Sequence, residues 1–216
     1  MSKATKVSAA VEMIPDGATL MIGGFLAVGS PHKLIDEIVR QGKKDLTVIA
    51  NDTARPTLGI GKLIVAKLVK KLIATHIGTN PETQRQMIAG ELAVELVPQG
   101  TMAERIRAGG YGLGGVITPT GVGTVVADGK KTIEIDGKTY LVELPLKADF
   151  SLIGASVADW NGNLQFAFTT ANFNPVMCWA GNTVIVEAEK IVPAGAIDPH
   201  AVAIPHVLVD YIVAKE

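Results

Sequence analysis

Residues 16–31 read DGATLMIGGFLAVGSP, and this stretch decides the fold of the chain. Residues 18–22 form a short, continuous apolar run, which is typical of a buried β-strand. A glycine pair ends the run. Ser30 and Pro31 then predict the start of a helix, with serine at the cap and proline in the first turn. The stretch therefore predicts a strand, a glycine-rich turn and a helix.

The alternation of strand and helix continues to residue 110. Further apolar runs predict strands at 46–50, 69–77 and 92–97. Helices are expected from a cap at Asn80 to Gly90, and from a capping box at 101–104 to residue 110. Alternation of this kind predicts an α/β fold with an open, mainly parallel sheet and helices on both faces.

Residues 111–147 break this alternation. Residues 111–124 are rich in glycine, and Asp-Gly pairs at 128–129 and 136–137 separate runs in which apolar and polar residues alternate. Such pairs between alternating runs are typical of hairpins, so we expect a small antiparallel insertion here. After the insertion, the pattern predicts strands at 150–155 and 183–187, with a helix near 175–180.

Composition narrows the classes of protein. The 216 residues are 48% hydrophobic and 19% charged, which favours a compact soluble protein, and we expect a single domain over residues 1–216. A formal net charge of −1 argues against nucleic acid as a partner. Neither a membrane-spanning run nor a signal peptide is evident, and the single cysteine excludes an internal disulfide. The expected compartment is the cytoplasm.

The glycine-rich turn is the first candidate site. It comprises Gly23, Gly24, Phe25, Leu26, Ala27, Val28 and Gly29. In an open α/β sheet, ligands bind beyond the carboxyl ends of the strands, and a helix N-terminus there favours negative charge. A plain turn without a ligand explains the same spacing. The dinucleotide fingerprint does not fit, because Gly24 and Gly29 enclose four residues.

The chain resembles the α subunits of family I CoA-transferases. Residues 16–31 fill every fixed position of that family's pattern: Asp-Gly, two variable residues, three apolar residues, Gly-Gly-Phe, three variable residues, Gly, one variable residue and Pro. Similar segments cover nearly the whole chain, at 49–52, 77–82, 90–92, 97–101, 103–110, 118–125 and 171–174. The resemblance is nearest to the acetate/acetoacetate and butyrate type.

The resemblance implies a reaction and a partner. In this family a glutamate of the homologous β subunit attacks an acyl-CoA, and CoA passes through a glutamyl-CoA thioester to a second carboxylate. This chain has no Glu-Asn-Gly motif that would supply the glutamate. The expected complex is αβ or α2β2. CoA and acyl-CoA are substrates, and no permanently bound cofactor is expected.

The resemblance also implies that Asn51 is the amide that supports the oxyanion. Its position after a buried strand fits a site, while a turn-forming Asn beside Asp52 is the plain alternative. Gln99 follows another strand end, where it either lines the same crevice or caps a turn. Glu95 is expected at an edge or in solvent. Arg105 and Arg107 are expected on a solvated helix face, and contact with a phosphate or with the partner subunit is the alternative.

Three further expectations concern the remaining reactive side chains. None of the four histidines has metal-ligand spacing to another histidine or to a carboxylate cluster, so no metal site is expected. His206 departs from the family pattern, where glycine follows proline near this point. Cys178 lies in an apolar run and is expected to be buried and inert.

Two other functions compete with the CoA-transferase hypothesis. One is a self-sufficient sugar-phosphate isomerase of related fold, which would need a carboxylate base and a phosphate loop in this chain. The other is a non-catalytic ligand-binding or assembly module.

Overall fold

The structure, a computed structural model, describes residues 3–214 and is built on one mainly parallel sheet. Within these residues the strands are β1 (Thr19–Ile22), β2 (Leu46–Asp52), β3 (Val69–His76), β4 (Ala93–Leu96), β5 (Val116–Thr118), β6 (Thr132–Ile135), β7 (Lys138–Glu143), β8 (Ala148–Asp159), β9 (Leu164–Gln165), β10 (Gly181–Val192) and β11 (Tyr211–Ala214). The helices are α1 (Val7–Glu12), α2 (His32–Gln41), α3 (Gly61–Val65), α4 (Pro81–Ile88), α5 (Gln99–Gly110) and α6 (Asn174–Met177).

The main sheet has the strand order β11-β10-β8-β1-β2-β3-β4, and β9 pairs with β8. All neighbours on this path are parallel, whereas β9 is antiparallel. The chain moves outward from β1 to β4 on one side and from β8 to β11 on the other. The order therefore reverses between β1 and β8, and such a switch point is where open α/β sheets bind ligands.

The sheet is buried on both faces, which explains the continuous apolar run of β1. Successive side chains of a strand point to opposite faces. Leu20 and Ile22 belong to the core that also contains residues of α1, α2 and α3. Met21 belongs to the second core, with residues of α5 and α6. The predicted fold class, an open mainly parallel sheet with helices on both faces, is confirmed.

The predicted helix starts at Ser30 and Thr101 are wrong. The α2 helix begins at His32, and its first N–H groups donate to the buried Glu187 carboxylate of β10, from Lys33 at 2.8 Å and Leu34 at 3.1 Å. Because Glu187 caps the helix, the Ser30 hydroxyl instead donates to the Gly23 carbonyl at 3.1 Å. The α5 helix begins at Gln99, directly after β4 and Pro98, so residues 101–104 lie inside it.

The Asn80 cap is confirmed. Its Oδ1 accepts hydrogen bonds from the backbone N–H of Glu82 at 3.1 Å and of Thr83 at 3.3 Å, and Pro81 occupies the first helical position. Gly90 follows the end of α4, as predicted. This cap succeeds where the others fail because its partners are local in the sequence.

The antiparallel insertion is confirmed as a three-stranded sheet of order β5-β7-β6. Asp136 and Gly137 link β6 to β7 with φ values of 51° and 71°, as the favoured two-residue hairpin turn requires. The insertion covers Arg105, whose guanidinium bonds the Leu144 carbonyl at 2.8 Å and pairs with Glu95 at 2.9 Å. The expected solvated position of Arg105 is therefore wrong, while Glu95 does lie on the edge strand β4.

Candidate functional site

The glycine-rich turn is a tight, strained loop at the carboxyl end of β1. Phe25 and Val28 exchange backbone hydrogen bonds of 3.0 and 2.9 Å, and the two residues between them have positive φ, 49° at Leu26 and 72° at Ala27. Positive φ at a non-glycine residue costs energy that the surroundings must offset. The loop is therefore held in one conformation by its neighbours.

Two asparagines anchor the loop from below. The Gly24 N–H donates to Asn172 Oδ1 at 3.2 Å, and the buried Asn174 donates from Nδ2 to the Gly29 carbonyl at 3.0 Å. A Cβ on Gly23 would lie 1.7 Å from Asn174 Oδ1. Glycine is thus required at position 23 for this close approach. The two asparagines fix the position of the loop relative to the sheet.

Asn51 lies near the end of β2, the strand that pairs directly with β1, and is almost fully buried. Its Oδ1 accepts from Gln99 Nε2 at 2.6 Å and from Thr75 Oγ1 at 3.2 Å. Its Nδ2 donates to Asp52 Oδ2 at 2.7 Å. This network sets the orientation of the amide group and leaves its second N–H for a ligand.

The loop and Asn51 line one cleft at the carboxyl edge of the sheet. This cleft has a volume of about 320 Å³, and its walls are Phe25, Leu26, Asn51, Asp52, Thr75, His76, Thr79 and Gln99. The structure therefore brings together two of the predicted site features, and it places Gln99 in the crevice instead of leaving it in a simple turn.

A second, larger cleft of about 510 Å³ shares the side chains of Phe25 and Gln99 with the first. It is lined further by Arg107, Tyr111, Trp179 and several smaller residues, and the rings of Tyr111 and Trp179 meet edge to face at 5.0 Å. Phe25, Leu26 and Val28 are 42%, 44% and 48% exposed, so the tip of the loop is an open apolar surface.

No glutamate lines either cleft among the residues that the structure describes. Hydrogen bonds from Arg85 and then from Lys67 lower the pKa of the Glu91 carboxyl to about 2, which leaves it ionised but paired. For Glu95, burial acts to raise the pKa, but the bond from Arg105 and the contact with Lys71 outweigh it and lower the pKa below its usual value. Both carboxylates are thus engaged in ion pairs.

Several residues that line the cleft or hold the loop lie outside the sequence prediction. Asp52, Thr75 and His76 line the cleft at strand ends, and only that position in the strand could have indicated them. Asn172 and Asn174 act through contacts with a segment about 145 residues earlier in the chain. Cys178 is buried, as predicted, and burial raises the pKa of its thiol.

Residues 3–214 contain no group of three or more histidine, cysteine, aspartate or glutamate side chains placed to hold a metal ion. None of the helices in this part of the chain is long and apolar enough to cross a membrane.

An amide-lined crevice at the carboxyl edge of an open parallel sheet is where α/β proteins commonly bind ligands, and comparisons with known proteins narrow the class. The family model described as Coenzyme A transferase matches residues 4–215. The chain is 50% identical over 201 residues to the acetate CoA-transferase subunit alpha of Escherichia coli K12, covering 93% of this chain and 91% of that one. The chain therefore belongs to the Coenzyme A transferase family.

Two further relatives agree with this assignment. The acetoacetyl-CoA:acetate/butyrate CoA transferase alpha subunit of Clostridium acetobutylicum is 54% identical over 200 residues, which cover 93% of this chain and 92% of that one. The acyl-CoA transferase YdiF of Escherichia coli O157:H7, solved as a thioester complex with CoA, superposes with a TM-score of 0.89 at 25% identity. The match covers 99% of this chain but 47% of YdiF, about half its length. The family predicted from residues 16–31 is confirmed.

Proposed function

We propose that this chain is the α subunit of a CoA-transferase that moves CoA between an acyl-CoA and a short-chain carboxylate or 3-oxoacid, such as acetate, acetoacetate or butyrate. One observation carries the proposal. A cleft at the carboxyl edge of the sheet, beyond the ends of β1, β2 and β3, presents a fixed amide donor and a strained loop, yet no glutamate lines it in the described chain. Such a cleft is suited to stabilise a reaction whose nucleophile comes from another chain.

The proposed reaction begins on a homologous β subunit. A β-subunit glutamate attacks the acyl-CoA carbonyl, and collapse of the tetrahedral intermediate expels the CoA thiolate and leaves an acyl-glutamyl anhydride. The thiolate attacks the glutamyl carbonyl of the anhydride, which releases the first carboxylate and forms a glutamyl-CoA thioester. A second carboxylate then takes the CoA by the reverse steps, and the glutamate is restored.

In this scheme Asn51 stabilises the oxyanion of the tetrahedral intermediates. The second N–H of its amide is the donor, because the first is bonded to Asp52. A donor held in place before the reaction stabilises the developing charge without reorganising. Gln99 and Thr75 do not act as nucleophiles in this scheme. Both donate hydrogen bonds to the Asn51 side-chain carbonyl and so hold it away from the substrate.

Residues Gly23 to Gly29 form the wall that contacts CoA or its acyl group. The apolar tip of Phe25, Leu26 and Val28 offers contact area for an acyl chain, for the pantetheine arm or for the partner. The asparagine anchors keep this surface rigid, which places the reacting carbonyl near Asn51.

The proposed enzyme is an αβ or α2β2 complex in the cytoplasm, with this chain as one domain and no permanently bound cofactor. The names of the similar proteins, which are alpha subunits, support the partner. A buried free cysteine fits a reducing compartment.

The competing hypotheses make different demands on the site. A self-sufficient sugar-phosphate isomerase needs a free carboxylate base, but Glu91 and Glu95 are held in ion pairs, and the Asp52 carboxylate in the cleft accepts three N–H donors. A non-catalytic module would not need the amide network that orients Asn51. Membership of the Coenzyme A transferase family also goes against the isomerase.

A reconstitution assay tests the proposal. Each chain is purified alone, and formation of acetoacetyl-CoA from acetyl-CoA and acetoacetate is followed by its absorbance. We expect no transfer by this chain alone and transfer after the β chain is added. Transfer by this chain alone would contradict the proposal, and so would an inactive mixture in which both chains are folded and associated. Ribose-phosphate isomerisation by the single chain would favour the isomerase instead.

A further inference from the structure

Asp52 joins the glycine-rich loop to Asn51. Its Oδ2 accepts both from the Leu26 backbone N–H at 2.9 Å and from Asn51 Nδ2 at 2.7 Å. Its Oδ1 accepts from the Ala54 N–H at 2.6 Å. One buried carboxylate therefore contacts the strained turn of the loop, the candidate oxyanion amide and the chain that leaves β2.

The carboxylate sets which way the Asn51 amide faces. An ionised aspartate can only accept hydrogen bonds, so the Asn51 NH₂ group must face Asp52 and the Asn51 carbonyl must face Gln99 and Thr75. The reversed amide would bring the Asn51 carbonyl against the carboxylate, an arrangement with no hydrogen bond and with repulsion between two oxygens. The second Asn51 N–H is consequently left for a ligand in the cleft.

We propose that Asp52 is a positioning residue of the CoA-transferase reaction. It holds the Asn51 amide with its free N–H toward the substrate, and it fixes the position of the loop relative to that N–H through the bond to Leu26. The inference rests on the proposed function, because it assigns Asp52 a role in that reaction. Asp52 itself does not touch the reacting atoms and acts through Asn51 and the loop.

The substitution Asp52→Asn tests this role, because asparagine keeps the size and polarity of the side chain but replaces one acceptor oxygen with an NH₂ donor. Three N–H donors converge on the two carboxylate oxygens, so an asparagine must turn its own NH₂ group against one set of them. With its NH₂ group toward Ala54, the asparagine opposes that single N–H; with its NH₂ group toward Asn51, it favours reversal of the Asn51 amide, and Gln99 is able to reverse in turn. The oxyanion would then meet a carbonyl oxygen instead of an N–H.

The chain offers a matched control at Asp159. This carboxylate is 1% exposed, compared with 4% for Asp52, and it also collects N–H donors, from the backbone of Asn161, Gly162 and Asn163. It closes the turn after β8 and lines neither cleft. Asp159→Asn therefore makes the same chemical change in a similar environment away from the site.

The experiment compares kcat and KM of αβ complexes that carry D52N, D159N, N51A or N51A together with D52N. We expect D52N to lower kcat about 100-fold, as for loss of one oxyanion donor, with KM for acetyl-CoA changed by less than about twofold. D159N should keep the wild-type kcat. In the N51A background, D52N should lower kcat by no more than about threefold, because its main target is already gone.

Three results would overturn the inference: a wild-type kcat for D52N, an equal loss for D159N, or an undiminished effect of D52N in the N51A background. Asp52→Ser is the second variant, since a hydroxyl can still accept from Ala54 but not reach both other donors. If neither variant yields a folded complex, Asp52 is a determinant of folding and the positioning role is wrong. Failure of the proposed function itself is separate, because then the wild-type complex transfers no CoA.

Discussion

At the scale of single residues, the site depends on how closely the loop approaches its anchors. Asn174 donates to the Gly29 carbonyl and accepts from the Gly154 N–H at 3.0 Å, so one buried amide joins the loop to β8. The space that Asn174 occupies is the space a side chain at position 23 would need. The requirement for glycine at position 23 therefore comes from a contact with a segment that is distant in the sequence.

Replacing Gly23 with alanine should displace Asn174 and weaken its hydrogen bonds to the backbone of Gly29, Gly154 and Thr170. We expect kcat of the reconstituted complex to fall about 100-fold, because small displacements in a site cost that much. The free energy of unfolding should drop by about 1–3 kcal/mol from the forced shift of packed groups. Steady-state kinetics and urea unfolding measure the two effects.

The matched control for this change is Gly114→Ala. An added Cβ there meets no atom within 4 Å, and its backbone does not need positive φ. Its kcat and stability should stay at the wild-type values. A G23A complex with wild-type kcat would contradict the proposed role of the loop.

The sequence alone predicted part of this site. The glycine-rich turn and Asn51 could be predicted because each directly follows an apolar strand run, which is a local signal. The hydrogen bonds that orient them come from Thr75, Gln99 and Asn174, which lie 24 to 145 residues away from their partners. No local pattern reports such pairings, so these partners emerge only from the fold.

At the scale of elements, the antiparallel insertion is attached to the main sheet through buried charges. Arg105 of α5 lies 3.8 Å from Glu143 of β7 and 2.9 Å from Glu95 of β4. Lys130 also pairs with Glu143 at 2.6 Å. Three elements of the chain thus meet at one guanidinium group.

Replacing Arg105 with methionine should lower the free energy of unfolding by about 3 kcal/mol. The substitution keeps apolar bulk but leaves the buried Glu143 carboxylate with less charge compensation. Arg40→Met removes an exposed pair with Glu37 on α2 and should cost far less, because solvent screens that pair. Equal losses in urea unfolding would show that the buried network does not hold the insertion.

The turn after β8 gives a prediction about pH. Burial acts to raise the pKa of Asp159, but hydrogen bonds from Asn163, Gly162 and Asn161 outweigh it and hold the pKa below its ordinary value. A lowered pKa stabilises the fold above the unfolded pKa of about 3.9, and the benefit is lost as pH falls through the folded value.

Asp159→Asn should therefore be less stable than the wild type near neutral pH, and the gap should narrow as the pH falls below about 4. Thermal melts across that range measure the gap. A difference in melting temperature that stays constant from neutral to acid pH would contradict the linkage.

The sequence predicts helices and strands correctly where the apolar runs are long. It fails for short helices and for a helix whose capping residue is distant in the sequence. The α1 and α3 helices have six and five residues, too few to show a helical period, and they were not predicted. The sequence pattern places the α2 start too early, because the carboxylate that caps this helix belongs to Glu187, about 150 positions later in the chain. The range of β8 was underestimated at both ends, since its pairing with β10 extends it to 12 residues.

At the scale of the whole molecule, the strand order places the functional residues together. The ends of β1, β2 and β3 all reach the same edge of the sheet, so the loop, Asn51 and Thr75 meet there. Alternating strands and helices predicted a parallel sheet, but not that β8 would lie beside β1. That neighbour relation creates the switch point, and it depends on long-range packing.

The chain corresponds to about half of one structural neighbour. It matches 47% of the YdiF chain while superposing over 99% of its own length. The proposed division of roles is that this half orients the substrate and stabilises the oxyanion, while a homologous β subunit supplies the glutamate.

Intact-mass measurement of both chains after incubation of the complex with acyl-CoA tests this division most directly. A glutamyl-CoA thioester adds the mass of one CoA less one water to the chain that carries the nucleophile. The adduct is expected on the β chain alone, with this chain unchanged in mass. A CoA adduct on this chain would contradict the proposal that its cleft lacks the nucleophile and serves as one wall of a shared site.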